Sequence, residues 1–185
     1  IVVNELDALV NIDLQNRVPK PEHKKLNLIR IGTSGALQGD IQVDTPVVSQ
    51  ISIGFDGLLN FYAERDKLGN KDLKDAFLNH TKWDKRLPTP YFVYSSEYLV
   101  DKIGRDMIKG MTISAPGFYG PQGRELRLEV IDPDLNNKLT DFTFKGKKIT
   151  NFEMESSAIA GLSKLLGHNA LTVCSIIANR IRKEY

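Results

Sequence analysis

The sequence is poor in the residues that several classes of protein require. Its single cysteine, Cys174, cannot form an internal disulfide framework and fits a reducing compartment. His23 has no second ligand close to it in the sequence, so we do not expect a metal site. No apolar run approaches the length of a membrane-spanning helix, and no signal-peptide pattern opens the chain. The net charge of +2 is too small to indicate nucleic-acid binding. We therefore expect a cytoplasmic protein that binds neither membrane nor nucleic acid.

The composition is that of an ordinary globular domain. Hydrophobic residues make up 41% of the 185 residues and charged residues 26%, which is enough to bury a substantial core. The sequence begins without Met, in a stretch that predicts an amphipathic helix over Val2–Asn16, and it stops shortly after an apolar strand. Both ends resemble interior segments of a larger protein. We therefore expect residues 1–185 to form a single, incomplete domain.

Apolar strand patterns alternate with helical patterns along the chain, which indicates the α/β class. The predicted strands are Leu26–Ile31, Val47–Ile53, Tyr91–Tyr94, Met107–Ser114 and Ala170–Ala178. The first of these is short, branched and apolar, so we expect it to be buried. The last is almost wholly apolar, which predicts a central parallel strand. The segment Arg65–Thr89 has no clear hydrophobic periodicity, which predicts an irregular surface segment with some helix. We expect Trp83 in this segment to be a local packing anchor.

The segment Asn151–Gly167 carries the strongest local pattern. Apolar residues recur at three- and four-residue spacing after Glu155, which predicts a helix that Gly167 ends. Small residues in its first turns allow another element or a ligand to approach closely. Glu153 and Glu155 flank Met154 at the junction between strand and helix. In α/β proteins ligands bind at such junctions, but carboxylates there also stabilise a helix N-terminus. The spacing alone leaves both interpretations open.

Arg30 is the anomaly of the first predicted strand, because an arginine is rarely buried without an anion. The strand runs into a predicted loop at Gly32–Gly35, whose backbone amides could bind a small anion. The alternative is a tight turn in which Arg30 pairs with a carboxylate. From spacing alone, that structural pair is favoured.

The segment Pro116–Arg124 is rich in glycine and proline, which predicts a loop with unusual backbone angles. Its side chains suit a pyrimidine ring. Phe118 could stack on the face of the ring, and Gln122 could both donate to and accept from an imide edge. Arg124 could donate two parallel hydrogen bonds to a carbonyl edge. Composition alone is equally consistent with a turn that has no ligand.

Four short motifs occur in a characteristic order: RIGTSGA (Arg30–Ala36), FYGPQGR (Phe118–Arg124), EMES (Glu153–Ser156) and NR (Asn179–Arg180). With them the chain resembles the nucleoside phosphorylase family, and within it the uridine phosphorylases. The resemblance implies a three-layer α/β sandwich with a mixed, twisted central sheet. It also implies reversible phosphorolysis of uridine to uracil and ribose 1-phosphate, a reaction of pyrimidine salvage. The loop departs from the family's FYPGQxR by an exchange of proline and glycine, which leaves the spacing from Phe118 to Gln122 and Arg124 unchanged.

The resemblance also implies roles for individual residues, which fall into four groups. These are Arg30 and Thr33 for phosphate; Thr33, Met154 and Glu155 for ribose; Gly35, Phe118, Gln122 and Arg124 for the base; and Asn179 and Arg180 for closing the site. Asn179 stands where purine-cleaving relatives carry an aspartate, which favours a pyrimidine. No metal or organic cofactor is implied, because inorganic phosphate is the co-substrate, and the expected assembly is a homo-oligomer built from dimers, up to a hexamer.

Family members begin with two further βα units that carry another phosphate loop, and these are not in this chain. Two alternatives therefore accompany the uridine phosphorylase hypothesis. One is a purine nucleoside phosphorylase or nucleoside hydrolase of the same superfamily. The other is a nucleoside-binding remnant without catalysis.

Overall fold

The computed structural model describes residues 1–184 as a mixed sheet covered by helices. The helices are α1 (Val2–Asn11), α2 (Lys71–Thr81), α3 (Glu97–Ile103), α4 (Leu135–Asp141) and α5 (Ser156–Leu165). The strands are β1 (Ile12–Asp13), β2 (Val18–Pro19), β3 (Asn27–Ala36), β4 (Pro46–Gly54), β5 (Tyr91–Tyr94), β6 (Ile108–Ser114), β7 (Thr143–Phe144), β8 (Lys147–Glu153) and β9 (Asn169–Asn179). Within residues 1–184 the longest helix has 11 residues, and none could cross a bilayer.

The main sheet has the strand order β3-β9-β4-β6-β8-β7, with β5 paired to β4. Strands β4, β6 and β8 are parallel to one another, and β3 is parallel to β9, whereas β9 and β4 are antiparallel. At its carboxyl end β3 also pairs with β8, through Gly35 with Phe152 and Ala36 with Asn151. This pairing closes five strands into a ring. The predicted mixed sheet and α/β class are confirmed, and the closure is an addition that no local pattern indicated.

The helices cover the sheet in separate apolar clusters. Helices α2 and α4 contribute Leu73, Phe77 and Leu139 to the largest cluster, which packs on the inner strands β4, β6 and β8. Helix α5 packs with α1 in a second cluster, and α3 packs against β9 in a third. Gly161 lets the turn that follows β4 approach α5, because a Cβ there would lie 2.6 Å from Leu59 Cδ1. The small residues predicted to keep α5 thin therefore have that effect.

Two expectations about β3 are wrong. The strand was expected to be buried, yet Ile29 is 46% exposed and Ile31 84% exposed. The reason is that the two faces of β3 differ: Leu28 packs against the cluster formed by α1 and α5, whereas Ile29 and Ile31 lie on the opposite, exposed face. The segment Gly32–Gly35 was expected to be a loop, but it continues the strand, because Gly32 and Thr33 still pair with β9. An irregularity in register falls only between Ser34 and Gly35.

Smaller differences occur elsewhere. Helix α1 ends at Asn11 rather than Asn16, because the next residues pair in a short hairpin with β2. The segment Arg65–Thr89 contains the regular helix α2, which Asn70 caps by accepting a hydrogen bond from the amide of Leu73 at 3.0 Å. Trp83 is a packing anchor as predicted, with its ring centroid 4.6 Å from that of Phe55.

Candidate active site

Glu153 organises the junction between β8 and α5. Its carboxylate is buried and accepts hydrogen bonds from the amides of Glu155 and Ser156, each at 2.9 Å to Oε2. The hydroxyls of Ser114 and Ser156 donate to Oε1. The carboxylate thus satisfies backbone donors that the start of a helix leaves without partners. For Glu153, the helix-start interpretation of the sequence is correct.

Arg30 joins this junction from the middle of β3. Its Nη1 lies 3.2 Å from Glu153 Oε2, and its Nη2 donates to Glu155 Oε2. Nη1 also lies 3.4 Å from the sulfur of Cys174 on β9. We call Arg30, Glu153 and Glu155 the carboxylate cluster. The arginine–carboxylate pair that spacing favoured is therefore present, and it holds two carboxylates rather than one.

The two carboxylates of this cluster differ in their access to solvent. The Glu153 side chain is 2% exposed and that of Glu155 is 54% exposed, so only Glu155 can easily exchange its partner for a ligand. Burial alone would lower the pKa of Arg30, but the negative charges of Glu153 and Glu155 raise it overall. Burial raises the pKa of the Cys174 thiol, which therefore stays neutral beside the guanidinium at physiological pH.

Gly32 provides the space for Arg30. A Cβ at this position would lie 2.6 Å from Arg30 Nη1 and 2.7 Å from its Cζ, closer than nonbonded atoms approach. The guanidinium of Arg30 thus lies directly over the backbone of Gly32, two residues further along the same strand. The glycine was predicted for a loop; its actual role is to leave room for the arginine.

A second group of side chains gathers around the loop after β6. Gln122 is buried, and its Oε1 accepts hydrogen bonds from Arg124 Nη1 at 2.7 Å and from Arg180 Nη2. The backbone carbonyl of Gln122 accepts a further bond from Arg180 Nη1 at 2.8 Å. We call Gln122, Arg124 and Arg180 the amide cluster. The sequence predicted that Gln122 and Arg124 act together, and the structure adds Arg180 to the pair.

Phe118 is placed differently from the expectation. The guanidinium carbon of Arg124 lies 3.8 Å from the centroid of its ring, a cation–π contact that covers one face. The ring is 53% exposed and meets Tyr119 edge-on at 5.5 Å. A base could therefore stack only on the remaining face, or after Arg124 moves.

The two clusters meet where β3 and β8 close the ring. The guanidinium carbon of Arg180 lies 4.8 Å from the ring centroid of Phe152, the residue directly before Glu153. A Cβ on Gly35, which pairs with Phe152, would lie 3.6 Å from Arg180 Nε. Gly35 therefore lies beside the amide cluster, and its predicted contact with a base stays a prediction. Arg180 and Phe152 connect the amide cluster to the carboxylate cluster.

The remaining predicted residues are less involved. Thr33 is exposed and shares the outward alternation of Ile29 and Ile31, whereas Arg30 is partly buried. Met154, at the junction, is 42% exposed and could contact a ligand. Neither position decides the predicted contacts with phosphate and ribose.

Asn179 differs from its predicted role in closing the site. Its side chain is buried and its Nδ2 donates to the carbonyls of Gln38 at 2.9 Å and Ile41 at 2.7 Å. Its Oδ1 accepts from the amides of Ile181 and Arg182. The amide therefore binds backbone groups on both of its sides and has no capacity left for a base.

A sequence model of the phosphorylase superfamily matches residues 22–184. The chain belongs to the phosphorylase superfamily. The resemblance noted in the sequence is thereby confirmed.

Two members of the superfamily show how far the likeness extends. A uridine phosphorylase from Thermococcus kodakarensis is 26% identical over 157 residues, which are 85% of this chain and 50% of that protein. The chain thus spans about half the length of this curated relative. A crystal structure of a Trypanosoma brucei nucleoside phosphorylase, described as showing uridine phosphorylase activity, covers 100% of this chain and 68% of its own with a TM-score of 0.84. At 24% identity it establishes the shared fold.

One polar network in this superfamily member was missed by the sequence interpretation. Ser114 Oγ accepts from the amide of Ser157 at 2.9 Å, and Ser157 Oγ donates to Asp56 Oδ2 at 3.0 Å. The hydroxyl of Tyr91 also lies 3.0 Å from both oxygens of Asp56. Burial raises the pKa of Tyr91, so its hydroxyl remains a donor. The position of these residues could have indicated the network, because Ser114 ends β6 and Asp56 follows β4 at the same edge of the sheet as Glu153.

Proposed function

We propose that this chain carries the base and ribose sites of a uridine phosphorylase. The reaction breaks the bond between C1′ of ribose and N1 of uracil and forms a bond from C1′ to a phosphate oxygen. The electron pair leaves with uracil, which takes up a proton, and ribose 1-phosphate is the other product. The observation that carries the proposal is the amide cluster, in which an amide and two guanidinium groups converge next to Glu153 and Arg30.

The amide cluster suits the charge that develops on the departing base. Uracil presents two carbonyl oxygens and one N–H between them, and these oxygens become more negative as the C1′–N1 bond breaks. Gln122 Nε2 would donate to a carbonyl oxygen of this edge, and Arg124 would turn from Gln122 Oε1 to donate to a carbonyl oxygen as well. Gln122 Oε1 would then accept from the N–H of the base, and Arg180 would add positive charge beside it. Such fixed donors lower the barrier by placement and electrostatics rather than by a proton-transfer pair.

The carboxylate cluster suits the sugar and the phosphate. Glu155, with its exposed carboxylate, would accept hydrogen bonds from the 2′- and 3′-hydroxyls, and Met154 would pack on the ribose. Arg30 would turn its guanidinium toward phosphate while Glu153 continues to hold it from behind. Thr33, on the same strand as Arg30, is proposed to contact both the phosphate and the ribose. Phosphate would thus replace Glu155 as the partner of Arg30 and release that carboxylate for the sugar.

A purine nucleoside phosphorylase is the second candidate, and one observation favours keeping it. The argument for a pyrimidine from Asn179 weakens because this side chain is occupied by backbone groups. The preference for uracil then depends on Gln122 and Arg124 alone.

The test is product formation by the protein with uridine and inorganic phosphate. We expect ribose 1-phosphate and uracil in equal amounts, and no cleavage when phosphate is omitted. Free ribose formed without phosphate would indicate a hydrolase. Faster cleavage of inosine would indicate the purine enzyme, and binding of uridine without any cleavage would indicate a nucleoside-binding remnant.

We further propose that catalysis requires no metal or organic cofactor, since phosphate supplies the nucleophile and the charged side chains supply the electrostatics. A homo-oligomer acting in the cytoplasm is part of the same proposal. Activity that survives treatment with a chelator would support the absence of a metal, and active protein whose mass by light scattering exceeds that of one chain would support the homo-oligomer. Loss of activity with the chelator and recovery with a divalent cation would overturn the first.

A further inference from the structure

A cavity of about 340 Å³ lies beside the loop that carries Gln122, yet none of the residues of the two clusters lines it. Its walls come from the residues that follow β4, the segment after α2, the loop after β6 and the segment that leads into α4. The principal apolar side chains are Phe55, Trp83, Pro88, Pro121, Ile131 and Leu135. A volume of this size with aromatic walls and few polar groups is typical of pockets that bind small molecules.

The polar groups of this cavity are acidic. Asp56, Glu129 and Asp132 contribute to its lining, which includes no lysine or arginine. Asp132 already pairs with Lys138, at 2.8 Å. Within residues 1–184, by contrast, Asp56 has no cation within ion-pair distance. Among the described residues its hydrogen-bond donors are neutral, namely the amide of Leu58, the hydroxyl of Tyr91 and the hydroxyl of Ser157.

We propose that this cavity binds a small aromatic amine. The ring would pack between Phe55, Trp83 and the proline side chains, and the ammonium group would lie near Asp56 and Glu129. A partly buried carboxylate that has hydrogen-bond donors but no cation attracts a positive ligand and repels a carboxylate or a phosphate. An indole ring is also the best partner for a cation that lies over its face. The site is separate from the proposed phosphorolysis and holds whether or not that activity is found.

The position of the cavity links its occupancy to the amide cluster. Gly120 and Pro121 form part of its wall, and together with Gln122 they make one short 3-10 turn. A ligand that packs against Pro121 therefore supports the turn that holds Gln122. Binding at the cavity would restrict the motion of the base-side loop without contacting any residue of either cluster.

The experiment uses the only tryptophan of the chain as its reporter, since Trp83 lines the cavity. The protein is titrated with 2-phenylethylamine, with the neutral 2-phenylethanol and with phenylacetate, which have nearly the same shape and different charge. We expect a saturable change in Trp83 fluorescence with the amine, at least about tenfold weaker binding of the alcohol, and no saturation with the acid. Equal binding of amine and alcohol, or tighter binding of the acid, would overturn the proposal.

Two variants locate the ligand. Leu87→Phe places a larger side chain at the cavity wall and should abolish binding measured by calorimetry, whereas Leu126→Phe, on an exposed residue outside the cavity, should leave it unchanged. Unchanged amine binding by a folded Leu87→Phe variant would place the ligand elsewhere and overturn the proposal. Asp56→Asn should remove the preference for the amine over the alcohol. If its melting temperature shows that Asp56→Asn fails to fold, Glu129→Gln tests the charge instead and should reduce that preference.

Discussion

The carboxylate cluster and the amide cluster contain similar chemistry but are held in place very differently. Glu153 is fixed by two backbone amides, two hydroxyls and Arg30, all on strands or at the first turn of α5. Gln122 lies in a 3-10 turn of a glycine-rich loop, and both guanidinium groups that hold it come from outside regular secondary structure. The carboxylate cluster is therefore held by strands and a helix start, whereas the amide cluster is held by loops beside the sheet.

This difference suggests a division of tasks. In the proposed reaction the ribose and the inorganic phosphate stay the same whichever ribonucleoside is cleaved, so their site can be rigid and shared. The base is what varies among substrates, and a loop can change its residues without disturbing the sheet. Substitutions in the carboxylate cluster should therefore affect stability as well as activity, whereas those in the amide cluster should affect mainly the choice of base.

The largest expected effect is on stability, within the carboxylate cluster itself. Glu153→Ala should lower the free energy of unfolding by ~3–5 kcal/mol, because it leaves Arg30 and several buried donors without their partner. Glu155→Ala, at an exposed carboxylate on the same arginine, should change it by no more than ~1 kcal/mol. Equilibrium unfolding in urea measures both. Equal losses for the two variants would contradict the distinction between a structural and an available carboxylate.

The second prediction concerns phosphate. Arg30→Lys should weaken phosphate dependence by about tenfold to hundredfold, because an ammonium cannot donate two parallel hydrogen bonds to one anion. Phosphate should also raise the melting temperature of the unmutated protein, by mass action, and raise that of the variant less. Arg105→Lys, at an exposed arginine, is the control and should behave like the unmutated protein. If phosphate stabilises neither protein, Arg30 serves only the fold.

The third prediction tests the amide cluster. Gln122→Ala should lower uridine turnover by about tenfold to hundredfold, since an unpaired buried hydrogen-bonding edge costs ~1–3 kcal/mol. The KM for phosphate should change little, because Arg30 and its partners remain in place. Kinetics at varied uridine and varied phosphate separate the two effects. A parallel rise in both KM values would show that the two clusters are not independent.

The fourth prediction distinguishes the roles of Glu155. Glu155→Gln keeps the shape of the side chain but removes the charge that strengthens its bonds to hydroxyl groups. Turnover of uridine should fall by about tenfold. That of 2′-deoxyuridine, which lacks one of the two hydroxyls, should fall by a smaller factor. The same factor for both substrates would mean that Glu155 only supports Arg30.

The smallest expected effect is a loss of folding stability at alkaline pH, caused by Tyr91 in the hydrogen-bond network of Asp56, Ser157 and Ser114. Burial raises the pKa of Tyr91 above its ordinary value near 10.0, so the folded protein keeps a proton that the unfolded chain loses. The stability contributed by this group is therefore complete below about pH 10 and is lost as the pH rises further. Urea unfolding at several pH values above about 9 measures the loss.

Replacement of the phenol gives the matching control. Tyr91→Phe should make the stability curve flatter above about pH 10, although the variant starts from a lower value because it loses hydrogen bonds to Asp56. Tyr98→Phe, at a tyrosine that is 55% exposed, should leave the slope unchanged. A steep alkaline loss that persists in Tyr91→Phe would assign it to another group.

Local patterns predicted those parts of the fold that local energetics determine. The strand Tyr91–Tyr94 was predicted at its observed bounds. Helix α5 was predicted with its small residues, although it ends at Leu165, two residues before the predicted stop at Gly167. The continuation of β3 through Gly32–Gly35 could not be predicted in this way. Glycines normally indicate a turn, and here their effect is overridden by pairing with a strand about 140 residues later in the chain.

Prediction of the site had the same limit. The motifs identified Arg30, Gln122 and Arg124 as candidate site residues. The contact between Arg180 and Gln122 joins residues 58 positions apart, and the sequence around either residue does not indicate it. Asn179 shows the opposite error. Its motif suggested a ligand contact, and only the structure shows that four backbone groups already occupy its amide.

The pairing of Gly35 and Ala36 with β8 has a further consequence for how a substrate could enter. Because this pairing ties β3 to β8 beside Arg180, the two clusters cannot separate like the halves of a hinge without breaking backbone hydrogen bonds of the ring. Access must then come from movement of the segment between Pro116 and Arg124, while the distance between the clusters stays fixed. Amide hydrogen exchange would show this as slow exchange at Ala36 and Phe152 beside fast exchange at Gly120 and Gly123.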